Sequence, residues 1–160
     1  MAAPSADKAT AGRLNPDGIP YLYLATDDAT AVAEVRPWDK AVVSVARLSL
    51  SRNLKVVNLR RSSLQDASPD NELEDWEHGA KFTWGMVCDY FSIPHHLDDN
   101  LRYLTTQYLA EAFKAAKFDG IQYDSSLSDS GHNVALFDCL AASVEEVRRI
   151  KVTRVKYDFQ

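Results

Sequence analysis

Gly12-Arg13-Leu14-Asn15-Pro16-Asp17-Gly18-Ile19-Pro20-Tyr21-Leu22-Tyr23-Leu24-Ala25 sets the reading of the chain. Asn15-Pro16-Asp17-Gly18 is turn chemistry: proline fixes one backbone angle and glycine is free to take a positive one. Tyr21 to Ala25 is a short aromatic-aliphatic run and reads as a buried strand. Thr26 or Asp27 can cap a helix running roughly to Glu34, in which Ala29, Val32, Ala33 and Arg36 keep helical spacing. Pro37 ends it. Glu34 sits among Ala31, Val32, Ala33 and Val35, which allows it the buried edge of that helix, although periodicity alone favours a solvated helix carboxylate.

Working outward, 41–48 and 54–59 are rich in β-branched residues and read as two strands. A polar loop at 62–71 leads to a helix at about 72–91 carrying Trp76, Phe82, Trp84 and Phe91. The clearest helix runs from Asp98 to Lys117, capped by Asp98 or Asp99. Its apolar face is Leu101, Leu104, Tyr108, Leu109, Ala112, Phe113 and Ala116. Strands are expected at 120–123 and 133–138, separated by a Ser/Asp/Gly loop, then a short helix at 142–147 and an alternating final strand at 150–159. Strands in pairs with irregularly placed helices favour an α+β fold, one compact domain, over a doubly wound parallel sheet. Residues 1–12 read as a flexible lead-in and 13–160 as the domain.

The 160-residue length suits a single domain. A net charge of −5 and a pI of about 5.3 show no basic face, so direct nucleic-acid binding is not expected. An anionic ligand would have to be held by individual arginines against the global field. No apolar run approaches the ~20 residues that span a bilayer, and the N-terminus lacks a signal-peptide layout. The expectation is a cytoplasmic protein without membrane attachment. Cys88 and Cys139 stand apart and read as two reduced, buried thiols.

Metal chemistry finds little support. His95 and His96 are adjacent and diverge in a helix or a strand, while His78 and His132 lack ligand spacing. No nucleophile elbow, P-loop or dinucleotide glycine motif occurs. What remains is one cation, one tyrosine, one acid and one hydroxyl, each beside a short strand: Arg13, Tyr23, Glu34 and Ser125, with Ser126 next to it. Such a set suits the grip on a phosphorylated nucleoside. Taken singly, each has an ordinary explanation: a surface arginine, a core tyrosine, a solvated helix carboxylate, and serines in a turn.

In order along the chain, these residues resemble the RES domain, named for arginine, glutamate and serine positions. The resemblance rests on Gly12-Arg13-x-Asn15-Pro16-x-Gly18, Leu22-Tyr23-Leu24-Ala25, Thr30 with Glu34-Val35, and Tyr103-Leu104-Thr105-Thr106-Gln107. Phe118-Asp119-Gly120-Ile121-x-Tyr123-x-Ser125-Ser126 and Asn133 to Phe137 complete it. It implies a fold like the diphtheria-toxin-type ADP-ribosyltransferases and an enzyme that consumes NAD⁺, with NAD⁺ as substrate and no cofactor. The bond cut would be the nicotinamide N-glycosidic bond, by hydrolysis, phosphorolysis or ADP-ribosyl transfer. The alternative is a catalytically silent RES-like module that binds nucleotide or protein.

Carried over by position, Arg13, Tyr23, Glu34 and Ser125 fall on the family's active-site positions, with Ser126 a further binding residue. The resemblance also implies a bacterial toxin neutralised by an Xre-like antitoxin, and a homo-oligomer is compatible with it. The family commonly has a further strand upstream that supplies another arginine. Twelve residues precede Arg13 here, so the chain is expected to be a shortened form or a fragment of a larger protein. The chemistry suits the four residues. Nicotinamide leaves neutral, and the barrier lies in positive charge growing on the ribose, which a carboxylate can stabilise. In this reading Arg13 bridges the diphosphate, Tyr23 stacks on nicotinamide and Ser125 bonds the ribose or the amide.

Overall fold

Among the described residues, two β-sheets, three α-helices and the loop at residues 12–15 organise the fold. The computed structural model describes residues 5–64, 75–93, 103–129 and 131–155. The larger sheet holds β1 (Leu22–Ala25), β3 (Val56–Leu59), β4 (Gly120–Asp124) and β5 (His132–Leu136), in the order β1-β5-β4-β3. Only β3 and β4 run parallel; the other pairs are antiparallel. The smaller sheet is a two-stranded antiparallel ribbon of β2 (Val42–Leu50) and β6 (Ala142–Lys151). Helix α1 spans Asp28–Glu34, α2 Asp75–Ser92 and α3 Leu104–Ala115. This is the expected α+β domain.

The turn–strand–helix unit forms at the expected positions, but the strand is not the buried one expected: Leu22, Leu24 and Ala25 are half-buried and Tyr23 is exposed. Gly18 takes φ 77°, and Ile19 N–H bonds Pro16 O at 3.3 Å, which is the positive-φ third position of a tight turn. Asp27 caps α1: its side chain accepts from Thr30 N at 2.8 Å. Residues of the lead-in meet this unit. Ala6–Lys8 makes a turn of 3-10 helix, Ala9 is buried, and Ala9 O accepts from Gly18 N at 2.9 Å.

Alternation puts Val57 and Leu59, Ile121 and Tyr123, and Ala135 on one face of the sheet. That face packs on Cys88 and Phe91 of α2 and Ala110 of α3 to make the core, closed by Leu14 and Tyr21. Rings finish the packing at Phe91–Tyr123 (6.4 Å) and Tyr21–Phe137 (5.1 Å).

Two further expectations are corrected. Residues 142–147 are not helical; they belong to β6. Val144 pairs with Leu48 and Glu146 with Arg47, so Glu145 is an extra residue in a bulge. The bulge shifts the alternation by one and brings Val144 and Val147 to one face, so a spacing of three imitates a helix. The last strand accordingly starts at Ala142 and ends at Lys151, and 156–160 lie outside the described residues.

Helix α3 is turned relative to its apolar pattern. Leu104 and Tyr108 are 56% and 76% exposed, while Thr106, Gln107 and Ala110 are buried. The reason is polar: Thr106 and Gln107 bond backbone carbonyls of the loop at residues 12–15, described below. Leu109 and Phe113 do pack against the core. The expected start at Asp98, with its cap and Leu101, lies outside the described residues, as do His95 and His96. Glu34, for which the sequence allowed either a buried helix edge or a solvated position, is exposed. Helix α1 ends on it, so its side chain extends from the last turn.

Candidate functional site

The loop at residues 12–15 is built before anything else in the site. Gly12 N–H bonds Asn15 O at 2.8 Å. From α3, Thr106 Oγ1 donates to Arg13 O at 2.5 Å, and Gln107 Nε2 donates to Gly12 O at 2.9 Å and Asn15 O at 3.1 Å. From β1, the Tyr23 hydroxyl donates to Asn15 Oδ1 at 2.7 Å and accepts from Leu14 N–H at 3.1 Å. A Cβ on Gly12 would lie 2.6 Å from Asn15 Oδ1 and 3.0 Å from the Tyr23 hydroxyl, so the loop needs glycine there. Buried carbonyls without water need such donors, which is why two polar residues point inward from α3.

Tyr23 is 42% exposed and lines the cleft described below, while its hydroxyl is held by that loop. Burial of the hydroxyl pushes its pKa up to about 12, against the opposing Leu14 N–H bond and the Arg13 charge. Tyr123, on the neighbouring register, is buried, and burial raises its pKa further still. Arg13, Tyr23, Glu34 and Tyr103 all lie close enough to Tyr123 to act on its charge.

Arg13 is engaged from behind. Its Nη1 donates to Phe91 O at 2.5 Å and reaches Ser92 O at 3.5 Å, both in the last turn of α2. The guanidinium stands 5.4 Å from the centre of the Tyr123 ring. A cation at the C-terminal carbonyls of a helix is favoured by the helix dipole, and the ring face adds a cation–π contact.

Glu34 and Ser125 meet directly. Ser125 Oγ donates to Glu34 Oε1 at 2.8 Å, and the buried Asn133 donates Nδ2 to the same oxygen at 2.6 Å. No hydrogen bond among the described residues falls on Glu34 Oε2. Ser125 also accepts from Leu127 N at 3.1 Å, which fixes its rotamer. Ser126 is exposed and bonds none of the other site residues among those described.

A cleft of about 930 Å³ opens here, between β1, α1 and the ribbon; Tyr23, Glu34, Tyr123 and Asn133 line it. Arg13 and Ser125 do not. Ser125 instead lines a smaller cavity of about 400 Å³ with Arg60, Asp124 and His132. Burial beside Arg60 lowers the His132 pKa, favouring its neutral form. Among the described residues no group of three or more His, Cys, Asp or Glu side chains is arranged to hold a metal ion, and no helix is long and apolar enough to cross a membrane.

Of the residues singled out in the sequence, Glu34 and Ser125 are in contact, Tyr23 lines the same cleft and Arg13 lies against Tyr123. The sequence reading gave no site role to Asn133, Tyr123, Asn15, Thr106 or Gln107. The available signal was that all five lie inside the quoted motifs while being polar or hydroxyl-bearing next to strands or a helix face. Comparison with known proteins gives one match: a family model described as RES domain covers residues 1–160. No curated protein and no solved structure matches the chain.

Proposed function

The chain belongs to the RES domain family, and from that premise we propose that it is an NAD⁺-consuming enzyme that cleaves the nicotinamide N-glycosidic bond. The observation that carries the reading is the Glu34 carboxylate: two donors hold Oε1 at 2.6 and 2.8 Å, and the cleft lies beside it. A carboxylate fixed in this way needs no reorganisation when positive charge develops in front of it. The leaving nicotinamide departs neutral, so the charge to be stabilised is on the ribose.

In this mechanism Glu34 faces the ribose with Oε2 as the C–N bond lengthens. Asn133 and Ser125 hold the carboxylate in place. Tyr23, on the cleft, offers its ring for stacking on nicotinamide, its hydroxyl being committed to Asn15 and Leu14 N–H. Arg13 ties the end of α2 to the site and supports Tyr123 from beneath. The biological setting we infer is that of a toxin, the family being one known for NAD-related toxins, with an Xre-like antitoxin as partner.

The test is to incubate the purified chain with NAD⁺, with and without phosphate, and to resolve products by chromatography. Release of nicotinamide is the expected result, and the second product identifies the acceptor. Binding of NAD⁺ without turnover would make the chain a silent module. Neither binding nor turnover would overturn the proposal.

A further inference from the structure

One wall of the large cleft has no part in that mechanism. It is the ribbon, where β2 and β6 alternate in register: Val45 lies opposite Arg148, Val43 opposite Ile150, and Arg47 opposite Glu146. These residues share one ribbon face, and Val43, Val45, Arg47 and Arg148 line the cleft. Arg148 Nη2 forms an ion pair with Asp28 Oδ2 on α1, which lines the same cleft. The two side chains are 44% and 51% exposed. Arg47 is exposed and makes no ion pair among the described residues, with Glu146 or any other acid.

The cleft is therefore polar in a directed way. Two guanidinium groups stand on the ribbon, and the carboxylates of Glu34 and Asp27 lie on the α1 side. A pyridinium dinucleotide has the matching pattern, a cation at one end of a dianionic diphosphate. Arg13 does not line the cleft, and its Nη1 is turned to carbonyls of α2. The overall charge of −5 gives an anion no general attraction.

We propose that Arg47 and Arg148 hold the diphosphate of the substrate, and that Asp28 occupies Arg148 until the diphosphate displaces it. This rests on the NAD⁺ reading above. The exchange is favourable because a solvent-exposed ion pair contributes little. A diphosphate offers two charges and oxygens that match the planar guanidinium fork.

Calorimetric titration of the whole chain with NAD⁺, nicotinamide riboside and inorganic pyrophosphate tests this. Arg47→Gln and Arg148→Gln should each weaken NAD⁺ about 10-fold or more, the scale of one lost charge-assisted contact, with KM rising more than kcat falls. Nicotinamide riboside, which has no phosphate, should bind all variants alike. Asp28→Asn should bind NAD⁺ several-fold more tightly than the parent, a result that no merely structural role gives. Unchanged NAD⁺ affinity in both arginine variants of a parent that cleaves NAD⁺ would overturn the diphosphate assignment and leave the enzyme reading standing. If the parent neither binds nor cleaves NAD⁺, that reading fails. Pyrophosphate then decides alone: binding that the double arginine variant loses keeps an anion site on the ribbon, and no binding overturns it.

Discussion

Asn133 Nδ2 lies 2.6 Å from Glu34 Oε1, and Asn133 is buried while Glu34 is exposed. The contact joins the middle strand pair to the last residue of α1, and Ser125 meets the same oxygen from the loop after β4. Three segments distant in sequence thus converge on one carboxylate. Its orientation comes from the sheet and its water access from the cleft.

Replacing Asn133 by Asp puts a second carboxylate where the donor was. Two acids this close cannot both ionise readily, so one proton is held to higher pH. The acid limb of the pH profile for NAD⁺ cleavage should move upward by ~1–3 units in Asn133→Asp. In Asn133→Ala the rate should fall with no comparable movement of the limb. An Asp variant that folds and keeps the parent profile would show that Glu34 ionisation does not govern cleavage.

The loop at residues 12–15 should prove expensive to disturb from α3. Thr106→Val keeps the shape and leaves Arg13 O without its 2.5 Å donor; Gln107→Leu removes donors from Gly12 O and Asn15 O. Each should destabilise by ~1–3 kcal/mol, the cost of orphaned buried carbonyls. Thermal unfolding measures it. Equal stability in both variants would mean that water replaces the lost donors.

Tyr21, Tyr23 and Tyr123 make the fold sensitive to alkali. Burial raises all three pKa values above the ordinary 10, Tyr23 to about 12, and Glu111 adds to the effect at Tyr21 by accepting its hydroxyl. A raised pKa means the folded state prefers the protonated phenol. The associated stability is complete below pH 10 and is lost as pH rises through 10 towards 12. Denaturant midpoints should hold steady up to about pH 9 and then fall, with tyrosinate absorbance rising together with unfolding. Smooth ionisation of all seven tyrosines near pH 10 in a folded molecule would contradict this.

Much of the fold was legible because local chemistry and tertiary structure agree there. Asp27 caps α1, Gly18 turns the chain, and β4 begins on Gly120 as expected. Where the two diverge, the reading failed for identifiable reasons. The Glu145 bulge made β6 look helical. Thr106 and Gln107 turned α3 so that Leu104 and Tyr108 face outward, because unsatisfied carbonyls outweigh apolar patterning at that point. The site was legible as a set of residue types and not as an arrangement. Register alone decides that Asn133 reaches Glu34, and that Arg13 lies against α2 while Arg47 and Arg148 line the cleft.

The central claim is that the Glu34 charge stabilises a cationic transition state, and Glu34→Gln tests it most directly. The amide oxygen can still accept from Asn133 and Ser125, so shape and hydrogen bonding survive while the charge is lost. NAD⁺ cleavage, measured as nicotinamide release under saturating substrate, should fall ~100-fold or more. NAD⁺ affinity should change far less, because the ribose charge exists only in the transition state, and the melting temperature should stay near that of the parent. A stable Gln variant that releases nicotinamide at the parent rate would contradict the account.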